Sequence, residues 1–208
     1  MNDEEFFSTL ISEAQKAAFS GWNFEYVTRT GREIEGVLPW SYSTEVIKYI
    51  RKAKSVLDIG TGGGELLSLL APLPKNTCAT EAYKPNVPVA RKRLGPLGVK
   101  VYSLRDFHDM PFKDGQFDLV INRHEAYSDK EVFRILKPGG IFITQQVGAY
   151  TNIEINKALG AHLKKSKRYL RNEAKDIEST GMKIITKREA YLRNRFYDIG
   201  AVVYYLLC

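Results

Sequence analysis

Val56-Leu57-Asp58-Ile59-Gly60-Thr61-Gly62-Gly63-Gly64-Glu65 is the stretch whose reading decides the fold. An apolar run too short for a buried helix passes into a turn with glycine at 60, 62, 63 and 64, and then into a helical pattern over 65–70. Glycines at such a junction let the backbone turn tightly and let a bound group approach it, because no Cβ stands in the way. The stretch therefore reads as strand, ligand-binding turn and helix.

The same grammar repeats outward from it. Short runs rich in β-branched residues fall at 55–59, 77–81, 99–103, 117–122 and 141–145, and helical periodicity fills 65–70, 87–94 and 130–136. Alternating strands and helices imply right-handed crossovers and a parallel sheet covered on both faces. The fold class is α/β, a Rossmann-like, mostly parallel sheet with helices on both sides.

Upstream, Phe6, Phe7, Leu10, Ile11, Ala14, Ala17 and Ala18 recur at helical spacing and predict an amphipathic helix. Two aromatic stretches follow, Gly21-Trp22-Asn23-Phe24-Glu25-Tyr26 and Leu38-Pro39-Trp40-Ser41-Tyr42. Aromatics on loops either wall a ligand pocket or anchor a segment to a core, and the sequence leaves both open. Ser43 or Thr44 is a candidate N-cap for a helix reaching about Ala53, with Val46, Ile47 and Ile50 inward.

Downstream, helices are predicted near 152–159 and 167–179 and a strand over 182–190. The last run, 196–207, is apolar at nearly every position, and Asp198 as an N-cap favours a helix there after a short strand. With no Ser/Pro/Gly-rich linker or repeat, the 208 residues read as a single domain.

Composition narrows the class. The acidic start, Met1-Asn2-Asp3-Glu4-Glu5, is unlike a signal peptide, and no stretch of about 18 apolar residues predicts a membrane span, so a cytoplasmic protein is expected. Cys78 and Cys208 offer neither a disulfide framework nor metal-ligand spacing, and no metal is expected. The net charge of +7 is concentrated in residues 151–208, which hold twelve Lys/Arg against six Asp/Glu. That bias allows nucleic acid as a partner, or simply a solvated lysine-rich face.

Three acids follow three successive strands: Asp58, Glu81 and Asp106. A carboxylate just before the glycines suits a cationic amino-acid ligand, and one at the end of the next strand suits ribose hydroxyls. Together they fit an adenosine, with ribose on Glu81, adenine between Ala82 and Phe107, and the exocyclic amine on Asp106.

On these residues the chain resembles the class I S-adenosylmethionine-dependent methyltransferases, particularly small bacterial members, from about Ser55 to Gly148. Asp58-x-Gly60-x-Gly62-x-Gly64 is similar to the first motif of that family, Glu81 to its ribose ligand, and Asp106-Phe107-His108-Asp109-Met110-Pro111-Phe112 to its adenine-side loop. Phe117-Asp118-Leu119-Val120-Ile121-Asn122 resembles its fourth strand and Leu136-Lys137-Pro138-Gly139-Gly140 the turn into its fifth.

The resemblance implies S-adenosyl-L-methionine as cofactor, held by Asp58, Gly60, Thr61, Gly62, Gly64, Glu81, Ala82, Asp106, Phe107 and Asn122. It also implies seven strands with an antiparallel hairpin at one edge. On this reading 1–42 is an N-terminal helix and lid region, 43–148 the cofactor-binding core and 149–208 an acceptor-side part. Relatives continue past a run like Asp198-Ile199-Gly200-Ala201-Val202-Val203 into a pocket-forming segment, so an acceptor pocket that is either incomplete or formed with a partner is a further expectation.

Transfer of a sulfonium methyl needs alignment and dryness more than a nucleophile. Where a base is useful, the candidate is His124 in Asn122-Arg123-His124-Glu125-Ala126-Tyr127, as base or acceptor orienter. Gln145 and Gln146 would face the acceptor, with Trp22 and Trp40 as candidate pocket walls. A small-molecule acceptor is preferred; an RNA base and a non-catalytic binding domain are the alternatives. A nicotinamide oxidoreductase fits poorly, because Asp58 stands where the dinucleotide fingerprint has a small or apolar residue and no Tyr-x-x-x-Lys dyad occurs.

Overall fold

The computed structural model describes residues 2–17, 24–161 and 168–207. In chain order these form α1 (Asp3–Lys16), α2 (Glu25–Thr28), β1 (Glu33–Ile34), α3 (Tyr42–Ile50), β2 (Ser55–Ile59), α4 (Glu65–Leu69), β3 (Asn76–Glu81) and α5 (Asn86–Leu94). Then come β4 (Lys100–Ser103), β5 (Phe117–Arg123), α6 (Asp129–Ile135), β6 (Leu136–Gln145), α7 (Ile153–Ala158), α8 (Leu170–Ser179), β7 (Arg195–Phe196) and α9 (Ile199–Leu207). The chain divides into two units: residues 1–40 with 190–208, and residues 41–189.

The first unit joins both ends of the chain. A capping box opens α1, with the Asn2 side chain accepting from the Glu5 N–H and the Glu5 carboxylate accepting from the Asn2 N–H, each satisfying a donor the helix leaves free. β1 pairs antiparallel with β7, and Ala14, Val27, Ala201 and Tyr204 form a small core. Arg32 grips Asp198 bidentately at 2.7 and 2.6 Å, and Asp198 also accepts from the Ala201 N–H, the helix N-cap role the sequence predicts.

The second unit is the α/β body. Its five strands run in the order β4-β3-β2-β5-β6, and every pair is parallel. β2 is buried at all five positions, as a central strand covered on both faces must be. On one face Val56, Ala79, Leu119 and Ile121 pack against Val46 and Ile50 of α3 and Ala90 and Leu94 of α5. On the other, Leu57, Ile59, Cys78 and Val120 meet Val132 and Ile135 of α6 with Met110 and Phe112.

Strand order reverses between β2 and β5, which is where doubly wound sheets open a crevice at their carboxyl ends. At the amino ends Asp118 holds the sheet together. Its carboxylate accepts from the N–H groups of Lys54 and Ser55 at 2.9 and 2.8 Å and from Lys137 Nζ at 2.8 Å. Lys137 above all keeps this carboxyl at about 2, below the usual range.

Four expectations are corrected. The main sheet has five strands rather than seven, and no antiparallel edge hairpin is found among the described residues. Residues 182–190 form no strand: Lys183, Thr186, Lys187, Arg188 and Glu189 are exposed and Ile185 is 69% exposed, so the segment has no continuous apolar face to dock. The cap of α3 is Ser41 rather than Ser43 or Thr44; its hydroxyl accepts from the Thr44 N–H at 3.2 Å. The helix predicted from 167 begins at Leu170, and position 167 lies outside the described residues.

Candidate functional site

The strand ends bring Asp58 and Glu81 to the glycine turn. Gly60 and Thr61 donate through their N–H groups to the Thr80 carbonyl at 3.0 and 2.9 Å, which ties the turn to the end of β3. Gly62 donates to the Glu81 carboxylate at 2.7 Å, and Tyr83 donates to its other oxygen, also at 2.7 Å. Gly60, Gly62 and Gly64 have φ of 71°, 62° and 83°, left-handed values that L side chains rarely adopt.

Asp58 is buried, and burial pushes its carboxyl up to about 6, with the charge of Glu81 adding to the shift. Glu81 is also held above the ordinary carboxylate range, chiefly by burial. Two buried acids beside a glycine turn create a field that favours a cationic ligand. The turn is open at Gly62, where the nearest atom to the position of an added Cβ is Glu65 Oε2, 4.0 Å away, whereas Glu125 stands against Gly60. The paired acids and the open face at Gly62 fit a sulfonium amino acid linked to a ribose.

On the β4 side, Asp106 is exposed and its Oδ1 accepts from the His108 N–H at 2.8 Å. Phe107 is half-buried against the core and lies 4.3 Å, centroid to centroid, from the His108 ring, while Ala82 is exposed. The loop that carries them is clamped to α6 by the buried Glu131, which accepts from the Met110 N–H at 2.8 Å, and by Arg134, which donates to the Phe112 carbonyl at 2.8 Å. Sequence reading missed this clamp, although Glu131 and Arg134 stand at helical i, i+3 spacing.

Asn122, the last residue but one of β5, is fully buried and is spent on internal bonds. Its Nδ2 donates to the Ile59 carbonyl at 3.2 Å, and its Oδ1 accepts from Thr144 Oγ1 at 3.1 Å and Gln146 Nε2 at 2.5 Å. Gln146 also donates to the Glu125 carbonyl at 3.2 Å and accepts from Arg168 at 3.2 Å. Both side chains therefore build the strand ends rather than project from them.

His124 is exposed, in the left-handed region at φ 63°, and its N–H donates to the Gln145 carbonyl at 2.9 Å. Gln145 Nε2 lies 3.1 Å from His124 Nε2; an amide nitrogen only donates, so this pairing uses the neutral ring with its proton on Nδ1. Burial of its inner side and the neighbouring Arg123 charge both lower the pKa of the imidazole. Trp40 is half-buried in the first unit, and Trp22 lies outside the described residues. Among the described residues no three His, Cys, Asp or Glu side chains gather as a metal site, and no helix is long and apolar enough to cross a membrane.

The family described as a methyltransferase domain matches residues 57–144, the segment from β2 into β6. An uncharacterized protein of Methanocaldococcus jannaschii is 28% identical over 162 residues, 74% of this chain and 60% of its own length. The malonyl-[acyl-carrier protein] O-methyltransferase of a Marinomonas species is 30% identical over 118 residues, 52% of this chain and 44% of its own length. The chain thus spans less than two thirds of either relative. The crystal structure of the YcgJ protein of Bacillus subtilis shares the fold, with a TM-score of 0.53, 23% identity and 67% of each chain covered.

Residues 57–144 therefore resemble a methyltransferase domain, and the α/β body has the fold of that solved structure.

Proposed function

We propose that this chain transfers the methyl group of S-adenosylmethionine to a small-molecule acceptor. The observation that supports it most is the pair of buried carboxylates, Asp58 and Glu81, on either side of the left-handed glycine turn within the matched segment. Asp58 would face the cationic amino-acid end of the cofactor and Glu81 the ribose hydroxyls, with Ala82, Asp106 and Phe107 on the adenine side.

S-adenosylmethionine, when bound, supplies a methyl group already activated on a sulfonium. The protein has to align the acceptor and exclude water. His124, paired with Gln145 through Nε2, would orient an acceptor through its Nδ1–H, and would take a proton from it only where Nε2 leaves Gln145. The free, buried Cys78 accords with a reducing, cytoplasmic setting.

The charge bias of residues 151–208 supports an RNA base as a second reading of the acceptor. The test begins with calorimetric titration of S-adenosylmethionine and S-adenosylhomocysteine, with NADH as control. Wild type should bind both and Asp58→Ala should bind about ten- to a hundred-fold more weakly, a loss of about 1.5–3 kcal/mol. Binding of NADH alone would overturn the reading. Labelled methyl donor offered with a metabolite extract or with total RNA then separates the two acceptor classes.

A further inference from the structure

Glu125, which follows β5, lies on the glycine turn. A Cβ added at Gly60 would overlap Glu125 Cβ and Cγ, and Glu125 Cδ lies 3.2 Å from that position. The aliphatic part of Glu125 therefore rests on Gly60, on the turn that a bound cofactor must approach closely. Its carboxylate accepts from the N–H of the next residue, Ala126, at 2.8 Å, and among the described residues it forms no ion pair.

The backbone that puts it there is strained and pinned. His124 holds φ at 63°, a conformation that residues with a side chain adopt at a cost. It is kept there by its N–H bond to the Gln145 carbonyl at 2.9 Å and by Gln146, which donates to the Glu125 carbonyl at 3.2 Å. The Glu125 charge also bears on Glu81, whose carboxyl it helps to raise. A like charge next to a buried acid favours release of the side chain once another group fills the turn.

We infer that Glu125 is a latch on the cofactor cleft, lying over Gly60 in the conformation described and swinging off the turn when an adenosyl ligand seats there. The inference rests on the cofactor reading of the site. Apparent affinity falls by the fraction of molecules in which the cleft is open, so a latch closed in about nine molecules of ten weakens binding about tenfold.

S-adenosylhomocysteine is the probe, because its neutral sulfur keeps changes of charge at residue 125 from dominating the result. It is titrated calorimetrically against wild type, Glu125→Ala and Glu125→Gln, while hydrogen exchange of the wild type is followed at 124–127 and 60–64. The latch predicts that Glu125→Ala binds about five- to tenfold more tightly. Glu125→Gln, which keeps the bulk of the side chain, stays within about threefold of wild type. On saturation, amides of 124–127 lose protection while those of 60–64 gain it. Wild type that binds, with Glu125→Ala unchanged or weaker, overturns the latch and leaves the cofactor reading standing. No binding by wild type or by Glu125→Ala overturns both.

Discussion

The N–H of Gly62 donates to the Glu81 carboxylate at 2.7 Å, so the acid proposed to hold a ribose also fixes the turn that would carry the rest of the ligand. With Tyr83 on its other oxygen, Glu81 serves as an acceptor on both sides. Replacement by Gln turns one of those oxygens into a donor facing an N–H. Glu81→Gln should therefore resemble Glu81→Ala rather than wild type, each losing about ten- to a hundred-fold in S-adenosylhomocysteine affinity, or about 1.5–3 kcal/mol. Calorimetry on the three proteins checks this; a Gln variant as tight as wild type would show that acceptor capacity is not what the position supplies.

Asp58 should make stability depend on pH in the direction opposite to most carboxylates. Its folded-state pKa of about 6 lies above the ordinary value of 3.8, so the native state binds a proton more tightly than the unfolded chain. The ionised group therefore subtracts stability above about pH 6, and the penalty fades as pH falls toward about 4. Asp58→Asn should raise the unfolding free energy at pH 7.5 by on the order of 1–3 kcal/mol and change it little at pH 4. Thermal unfolding without ligand at the two pH values tests the sign.

Asp118 should behave in the usual way. Its carboxyl, held at about 2 chiefly by Lys137, contributes stability that is present above about pH 4 and lost as pH falls through about 2. Because it stands near the amino end of β5 and accepts from two backbone N–H groups at the amino end of β2, Asp118→Ala should cost about 1–3 kcal/mol in urea unfolding. It stands at the opposite end of the strands from Asp58 and Glu81, so cofactor affinity should not move. A large loss of affinity would mean that damage at one end of the sheet reaches the other.

Gly64 is required for two separable reasons. Its φ of 83° disfavours any side chain, and an added Cβ would stand 2.7 Å from Leu94 Cγ. Gly64→Ala should cost about 2–4 kcal/mol from backbone strain and overlap together. Leu94→Ala relieves the overlap but not the strain, so the double variant should be more stable than the sum of the single losses by about 0.5–2 kcal/mol in a double-mutant cycle. Strict additivity would assign the whole cost to the backbone.

The sheet was legible because each strand is a short apolar run closed by a turn signal, and because the Asp58 to Gly64 motif concentrates its information in a few residues. The segment 182–190 misled because its alternating Met182, Ile184 and Thr186 satisfy the strand period, whereas burial decides whether such a segment pairs. Ser41 and Ser43 are equally good caps by type; the extended backbone at Ser41, with ψ of 119°, selects it. Glu125 left no trace in the pattern, since its inward turn depends on a left-handed His124 that residue type would not suggest. The same holds for Gln146, whose amide looked available until its four partners were seen.

The first unit is interrupted: the chain leaves it at Trp40 and re-enters it at Ala190, so the α/β body is an insertion between β1 and β7. The antiparallel pairing of those strands and the Arg32 grip on Asp198 must then close a loop whose length depends on whether the insert is folded. A folded insert acts as a short, stiff tether, and an unfolded one as a long random coil whose closure costs entropy that grows with the logarithm of its length. Damage confined to the sheet is therefore passed to the terminal helices through the chain itself, as a change in ring size.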